Sequence, residues 1–257
     1  MWMVVAGALV IGITLGLLGS GGSILTVPIL TYVLGQPDKL AIAGSLAIVG
    51  GISLLAAIPY ALRGEVAWRN VLWFGLPGML GTFAGAQLSA FLPGALQLTL
   101  FACVMLAAAV RMLRGAGNIS VGAAGGSPVQ RRRHIVRDGI AVGLLTGLVG
   151  VGGGFLIVPA LVLFGGLAMR QAIATSLVVI SLNSFTGFFQ HALVLASLKL
   201  ALDWSVLGQF ILIGGSGALL GQFVGGRLPQ QQLKRGFALM LVAMGLYMLW
   251  REAPRLF

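Results

Sequence analysis

Two stretches, Leu40 to Leu62 and Trp204 to Gly226, are apolar on every helical face. Each is long enough to cross a bilayer as a helix, which takes about twenty residues. A surface helix of a soluble domain keeps one polar face, and a transmembrane β-strand alternates polar and apolar residues over about ten positions. Neither pattern is present. With 58% apolar and 8% charged residues and a mean hydropathy of +1.04, a chain of 257 residues has too little polar surface to coat a soluble globule. The sequence specifies an all-α polytopic membrane protein.

The chain is also an internal duplication. Gly16 to Leu30 (GLLGSGGSILTVPIL) aligns with Gly147 to Leu161 (GLVGVGGGFLIVPAL), 131 positions on. The register continues from Ala41-Ile42-Ala43 to Ala172-Ile173-Ala174 and from Ser45-Leu46 to Ser176-Leu177. After about five extra residues in the second copy, Trp68 meets Trp204, Gly78, Gly81 and Gly85 meet Gly214, Gly217 and Gly221, and Leu92-Pro93 meets Leu228-Pro229. Each copy reads as four apolar spans: 4–33, 40–62, 71–91 and 95–113, then 139–165, 171–198, 204–226 and 233–250. The expectation is eight transmembrane helices in two homologous four-helix repeats, residues 1–113 and 138–257. Residues 114–137 form a basic linker containing Gly and Ser, expected in the cytoplasm.

The net charge of +11 reflects 16 Lys and Arg against five acids. In a membrane chain, basic residues collect in short cytoplasmic loops, so this charge reads as topology rather than as a nucleic-acid partner. With four crossings per copy the repeats run parallel. Both termini and the linker are then cytoplasmic, with eleven basic residues inside (Arg63, Arg69, Arg111, Arg114, Arg131, Arg132, Arg133, Arg137, Lys199, Arg251, Arg255) and five outside (Lys39, Arg170, Arg227, Lys234, Arg235). If the first span of each copy instead dips in and returns, the repeats become inverted. The N-terminal apolar segment lacks the basic start of a signal peptide and reads as a retained helix. Cys103 is the single cysteine, read as packing, so no internal disulfide forms and no cysteine-rich metal site is expected. No metal or other cofactor is called for, and the partners expected are the bilayer and a small anion. Monomer and homo-oligomer both remain open.

The first span of each copy is interrupted by tandem glycines, Gly19-Ser20-Gly21-Gly22 and Gly150-Val151-Gly152-Gly153-Gly154, followed by Pro28 and Pro159. Each glycine weakens a helix by roughly 1 kcal/mol, so the helix should break there and a new half-helix should start between glycines and proline. Half-helix N-termini present free N–H groups and partial positive charge, which suits anions. Ser20, Ser23 and Thr26 add hydroxyls in the first copy, whereas the second has only glycines and aliphatics, so the site should be asymmetric. The spaced glycines Gly12 and Gly16, Gly81 and Gly85, and Gly217, Gly221 and Gly225 read instead as places where helices approach closely.

These paired motifs, G-x-G-G-x-x-x-x-x-P in both copies, resemble the signatures of the sulfite exporter TauE/SafE family. The Trp68 and Trp204 positions, both Leu-Pro pairs and the tails Arg111 to Leu113 and Tyr247 to Leu249 match as well. The resemblance implies a bacterial-type inner-membrane permease, not an enzyme, exporting sulfite, thiosulfate or an organosulfonate.

Within the sixth span, Ser176, Asn183 and Gln190 recur every seven residues on one stripe, near Ser181, Ser184, Thr186 and His191. Such a stripe either bonds neighbouring helices or lines a path with Ser45 of the first copy. His191 is the ionisable candidate for proton coupling, or else a satisfied structural histidine. Every acidic residue lies in a loop or at a span end, which leaves no material for a carboxylate relay. Export is therefore expected to be driven by the membrane potential.

Overall fold

The computed structural model describes residues 2–114, 128–149, 154–163, 166–197, 200 and 202–256, and the regular structure among them is entirely helical. Two helices form its centre. α1 (Trp2–Leu18) and α2 (Gly21–Pro28) come first, with α2 running on into a π-helical turn at Ile29–Val33. α3 (Asp38–Leu62) follows, then α4 (Trp68–Asn70), which continues through a second π-turn, Val71–Gly75, into α5 (Leu76–Ser89) as one rod. α6 (Gly94–Arg114) ends the first copy. The second comprises α7 (Pro128–Val149), α8 (Gly154–Leu163), α9 (Met169–Ser197), α10 (Trp204–Gly225) and α11 (Gln230–Leu256).

Among the described residues, four spans are long and apolar enough to cross a membrane: α3, the Trp68–Ser89 rod, Met169–Ala196 within α9, and α10. α3 and α9 are the most enclosed, 83% and 67% buried over their apolar windows, against 44% for the rod and 39% for α10. They pack antiparallel, Gly50 against Ser184 and Leu46 against Gly187. The exterior is apolar, with Leu62, Leu80, Leu212, Phe223 and Leu239 all exposed, while Trp2, Trp68, Trp204 and Trp250 stand exposed at helix ends. That is how a bilayer-embedded surface and its interfacial aromatic belt are built.

The molecule has two distinguishable ends. At one, the start of α3 meets the end of α5: Lys39 Nζ donates to the carbonyls of Ser89 (2.7 Å) and Leu92 (2.8 Å). At the other, the start of α9 meets the end of α10, where Arg170 Nη2 donates to the Gly226 carbonyl at 2.7 Å. Lys39 and Arg170 are duplication partners, and each places a cation on the negative end of a helix dipole.

α1 runs from the Lys39 end to the Arg170 end, where Gly19 sits against Ile173. α2 then folds back along α1, with Gly22 against the Ile11 carbonyl and Leu15, and Ile29 against Gly7. The first span of the first copy is thus a helical hairpin, not a broken crossing. α7 runs the opposite way, its last turn meeting Gln97 and His191 at the Lys39 end, and α8 leads back to α9 at the Arg170 end. The two copies are therefore inverted, which corrects the parallel arrangement. The start of α1 and the helix ends flanking the linker lie at opposite ends, so both termini and the linker cannot share one side.

Two glycine seams lock the copies together. α1 and α10 run parallel, Gly12 on the Gly214 carbonyl, Gly16 on the Ala218 carbonyl and Gly221 on the Ile13 carbonyl. α5 and α7 repeat this, with Gly81 on Ile140, Gly85 on Leu144 and Gly143 on Gly78. A methyl group at any of these positions would overlap a backbone carbonyl, so the close-approach reading of the spaced glycines holds. Each hairpin helix packs against the third span of the other copy. Cys103, expected to pack inside, is exposed on α6.

Candidate functional site

The break in the first copy starts at Gly19, whose φ of +73° is a left-handed conformation that glycine adopts without strain. Its N–H donates to the Leu15 carbonyl at 2.7 Å, closing α1, and α2 begins two residues later. The half-helix thus starts within the glycine cluster itself, at Gly21, rather than between the glycines and the proline; Pro28 ends α2 instead of occupying its first turn, and Pro159 sits inside α8.

Around this turn the hydroxyls divide sharply. Ser23 Oγ donates to the Ser20 carbonyl at 2.7 Å and Thr26 Oγ1 to the Gly22 carbonyl at 2.7 Å, so both are spent as donors within α2. Ser20, at the N-cap, is fully buried, makes no side-chain cap bond, and its Oγ has no partner. With the first N–H groups of α2, which have no intrahelical acceptor, it forms a compact set of donors at Ser20, Gly21 and Gly22. Ser176 Oγ reaches across from α9 to the Gly19 carbonyl at 3.1 Å and holds the turn in place.

The other expected residues are not all gathered here. Ser45 and Asn183 are fully buried, Ser45 donating to the Ile42 carbonyl at 2.8 Å. Asn183 lies against Gly78 of α5 with neither amide atom partnered, and Gln190 is buried further along α9. The stripe on α9 is real but faces neighbouring helices along its length. His191 Nε2 donates to the Gly147 carbonyl at 3.0 Å, which gives this histidine the task of holding the last turn of α7. Gly154 opens α8, while Gly150, Gly152 and Gly153 lie outside the described residues. The two half-helix starts do not face each other at mid-depth. Gly19 adjoins Ile173 and Ser176 near the start of α9, whereas α8 follows from the opposite end, and α2 and α8 touch between them.

Several polar groups escaped the sequence reading. Gln97, fully buried, donates to the carbonyls of Leu148 (2.9 Å) and Ser89 (3.2 Å) and accepts from Lys39 (3.0 Å). Thr82 was missed as well; its hydroxyl is buried and unpartnered, as are those of Ser53 and Ser184, which their spans had already marked. At the Arg170 end a cavity of about 490 Å³ is lined by Tyr60, Arg63, Glu65, Arg170, Gln222 and Arg227, among others. The pairing of Lys39 with Arg170 was the one signal in the sequence that marked this end. Among the described residues there is no cluster of His, Cys, Asp or Glu able to hold a metal ion.

The family model for the sulfite exporter TauE/SafE matches residues 4–248. The chain belongs to this family. TauE/SafE relatives include a "Probable membrane transporter protein" of Xylella fastidiosa, 33% identical over 94% of this chain and 92% of its own length. Another is YdhB of Bacillus subtilis, 26% identical over 93% and 96%, and a third is MJ0441 of Methanocaldococcus jannaschii, 28% identical over 71% and 70%. Both carry the same description. No solved structure matches the chain. This TauE/SafE chain is a multi-pass membrane protein and a transporter, not an enzyme.

Proposed function

We propose that this protein moves a small sulfur-containing anion, such as sulfite, thiosulfate or an organosulfonate, out of the cell. The observation that carries the reading is the Ser20 hydroxyl, buried and unpartnered over the first turn of α2. Unsatisfied donors at this depth are costly unless a ligand or water takes them, and an oxyanion offers several acceptors to one hydroxyl and two N–H groups. The family description and the Ser20 donor set support the same class of cargo.

In this reading each copy contributes a hairpin and three crossings. Among the described residues, helix ends then sort the basic residues twelve to three. Arg63, Arg69, Arg111, Arg114, Arg131, Arg132, Arg133, Arg137, Arg170, Arg227, Lys234 and Arg235 fall at the Arg170 end, and Lys39, Arg251 and Arg255 at the other. This bias puts the Arg170 end and the linker in the cytoplasm of a bacterial-type inner membrane, with the start of α1 and the end of α11 outside. A potential of 100 mV, negative inside, expels a dianion with about 4.6 kcal/mol, between three and four decades of concentration ratio.

Flux in proteoliposomes, with the potential clamped by a potassium ionophore and the pH gradient varied, tests both cargo and drive. Movement of thiosulfate or sulfite that follows the potential is the expected result. No flux of any sulfur oxyanion or sulfonate overturns the reading of the cargo. Uphill movement driven by a proton gradient at zero potential, lost in His191→Ala, overturns that of the drive.

A further inference from the structure

The duplication makes the two ends of the molecule counterparts, and three arginines meet at only one of them. Arg63 from the end of α3, Arg170 from the start of α9 and Arg227 beyond α10 line a single cavity of about 490 Å³ with Tyr60, Glu65 and Gln222. A pocket of this size accommodates a small ligand together with water.

The arginines are exposed, and among the described residues none makes an ion pair, so Glu65 leaves the lining with an excess of positive charge. Two of them are held in place. Arg170 is fixed through one nitrogen on the Gly226 carbonyl, and the guanidinium of Arg227 lies 4.0 Å from the centroid of the Phe223 ring. Gln222 is anchored by its Nε2 on the Ala56 carbonyl at 2.6 Å. Guanidinium groups held this way match oxyanions in geometry and in charge.

The cavity also leads somewhere. A smaller cavity of about 100 Å³ shares Tyr60, Arg170 and Gly226 with it and extends inward to Leu17 and Ile173. Ile173 is the residue against which Gly19 packs. Ile173 thus stands between the smaller cavity and Gly19, the residue before Ser20.

We infer that Arg63, Arg170 and Arg227 form an anion-recruiting vestibule that binds a small oxyanion at the Arg170 face before it reaches the α2 turn. The inference rests on the reading of the protein as an anion transporter and adds to it a second site, separate from the backbone donors. A cleft lined by one sign of charge raises the local concentration of the opposite ion by about ten- to a thousand-fold, and more for a dianion than for a monoanion. Salt screens this attraction, because exposed charges lose their reach at high ionic strength.

Initial flux in oriented vesicles tests the inference, with thiosulfate as dianion and methanesulfonate as monoanion offered separately at each face. The double variant Arg63→Gln/Arg227→Gln should raise KM for thiosulfate about tenfold from the Arg170 face, with a smaller rise for methanesulfonate. From the Lys39 face KM should not change, and high salt should erase the difference between variant and wild type. Arg63→Lys/Arg227→Lys, which keeps the charge, should recover most of the affinity. Arg235→Gln, a basic residue away from the cavity, should behave as wild type. Because Arg170 also caps α10, it is tested as Arg170→Lys with thermal unfolding as the folding control. A KM within twofold of wild type, or equal losses from both faces, overturns the vestibule while leaving transport intact. Wild-type protein that moves neither anion overturns the transport reading instead.

Discussion

Ser176 Oγ lies 3.1 Å from the carbonyl oxygen of Gly19 and 2.8 Å from that of Ile173, so one hydroxyl joins the central helix of the second copy to the hairpin turn of the first. Ser176→Ala removes the donor and leaves the Gly19 carbonyl buried without it. The expected cost is about 1–3 kcal/mol of stability, with loss of flux as the turn loosens. Thermal unfolding in detergent checks this, and unchanged stability would mean that the contact does not hold the turn.

Ser20→Ala should do the reverse. Its hydroxyl has no protein partner, so stability should hold or rise slightly. Anion affinity should fall roughly ten- to a hundred-fold, the loss of one hydrogen bond to a charged ligand. Ser20→Val, which copies Val151 of the second repeat, should lose as much. Flux and thiosulfate-dependent thermal shifts measure both, and full transport by either variant would remove Ser20 from the site.

The glycine seams predict a contrast within a single helix. A side chain at Gly214 would press on Ile52 and the Ala8 carbonyl, and one at Gly221 would overlap the Ile13 carbonyl, whereas Gly208 has open space around it. Gly221→Leu should therefore abolish folded protein. Gly208→Ala should stabilise by about 0.5–1 kcal/mol through helix propensity alone. Size-exclusion profiles and melting temperatures separate the two outcomes.

Lys39→Met strips a cation from three acceptors, the Ser89 and Leu92 carbonyls and Gln97 Oε1. A loss of about 1.5–3 kcal/mol per charged hydrogen-bonding group is expected, and Lys39→Arg should restore part of it. Denaturation of the purified variants tests the order wild type, Arg, Met.

Cysteine labelling tests the orientation. In a Cys103→Ser background, Ala90→Cys at the Lys39 end should react with an impermeant maleimide in intact cells. Arg69→Cys, at the Arg170 end, should react only after lysis. The opposite pattern would reverse the orientation, and labelling of both in intact cells would mean that the Trp68–Ser89 rod does not cross the membrane.

The duplication, the broken first spans and the apolar exterior were legible because they depend on residue type and spacing. The hairpin was not. Gly19 to Gly22 permits either a kinked crossing or a reversal, and what decides is the fit of Gly22 against Ile11 and Leu15, a tertiary contact no local pattern encodes. The hydroxyl roles were equally hidden. Ser20, Ser23 and Thr26 look alike in sequence, yet two turn back onto their own carbonyls, as such residues readily do in helices, and only one stays free. Arg170 and Arg227 were assigned outside with the parallel topology. Only the inverted fold brings them to the same chamber as Arg63 and Tyr60.

Inverted copies that pack each hairpin against the partner copy's third span carry a historical consequence. Neither α1 nor α7 finds its glycine seam within its own repeat, so a single repeat could not have closed its core alone. A half-length precursor would have closed these seams only as an antiparallel pair, inserted into the membrane in both directions. Such a chain would need a charge asymmetry too weak to choose a side. Fusion through a linker that leads into the basic start of α7, with Arg131, Arg132, Arg133 and Arg137, would then have supplied a charge asymmetry and freed the two halves to diverge. Ser20 opposite Val151 is one mark of that freedom in the sequence.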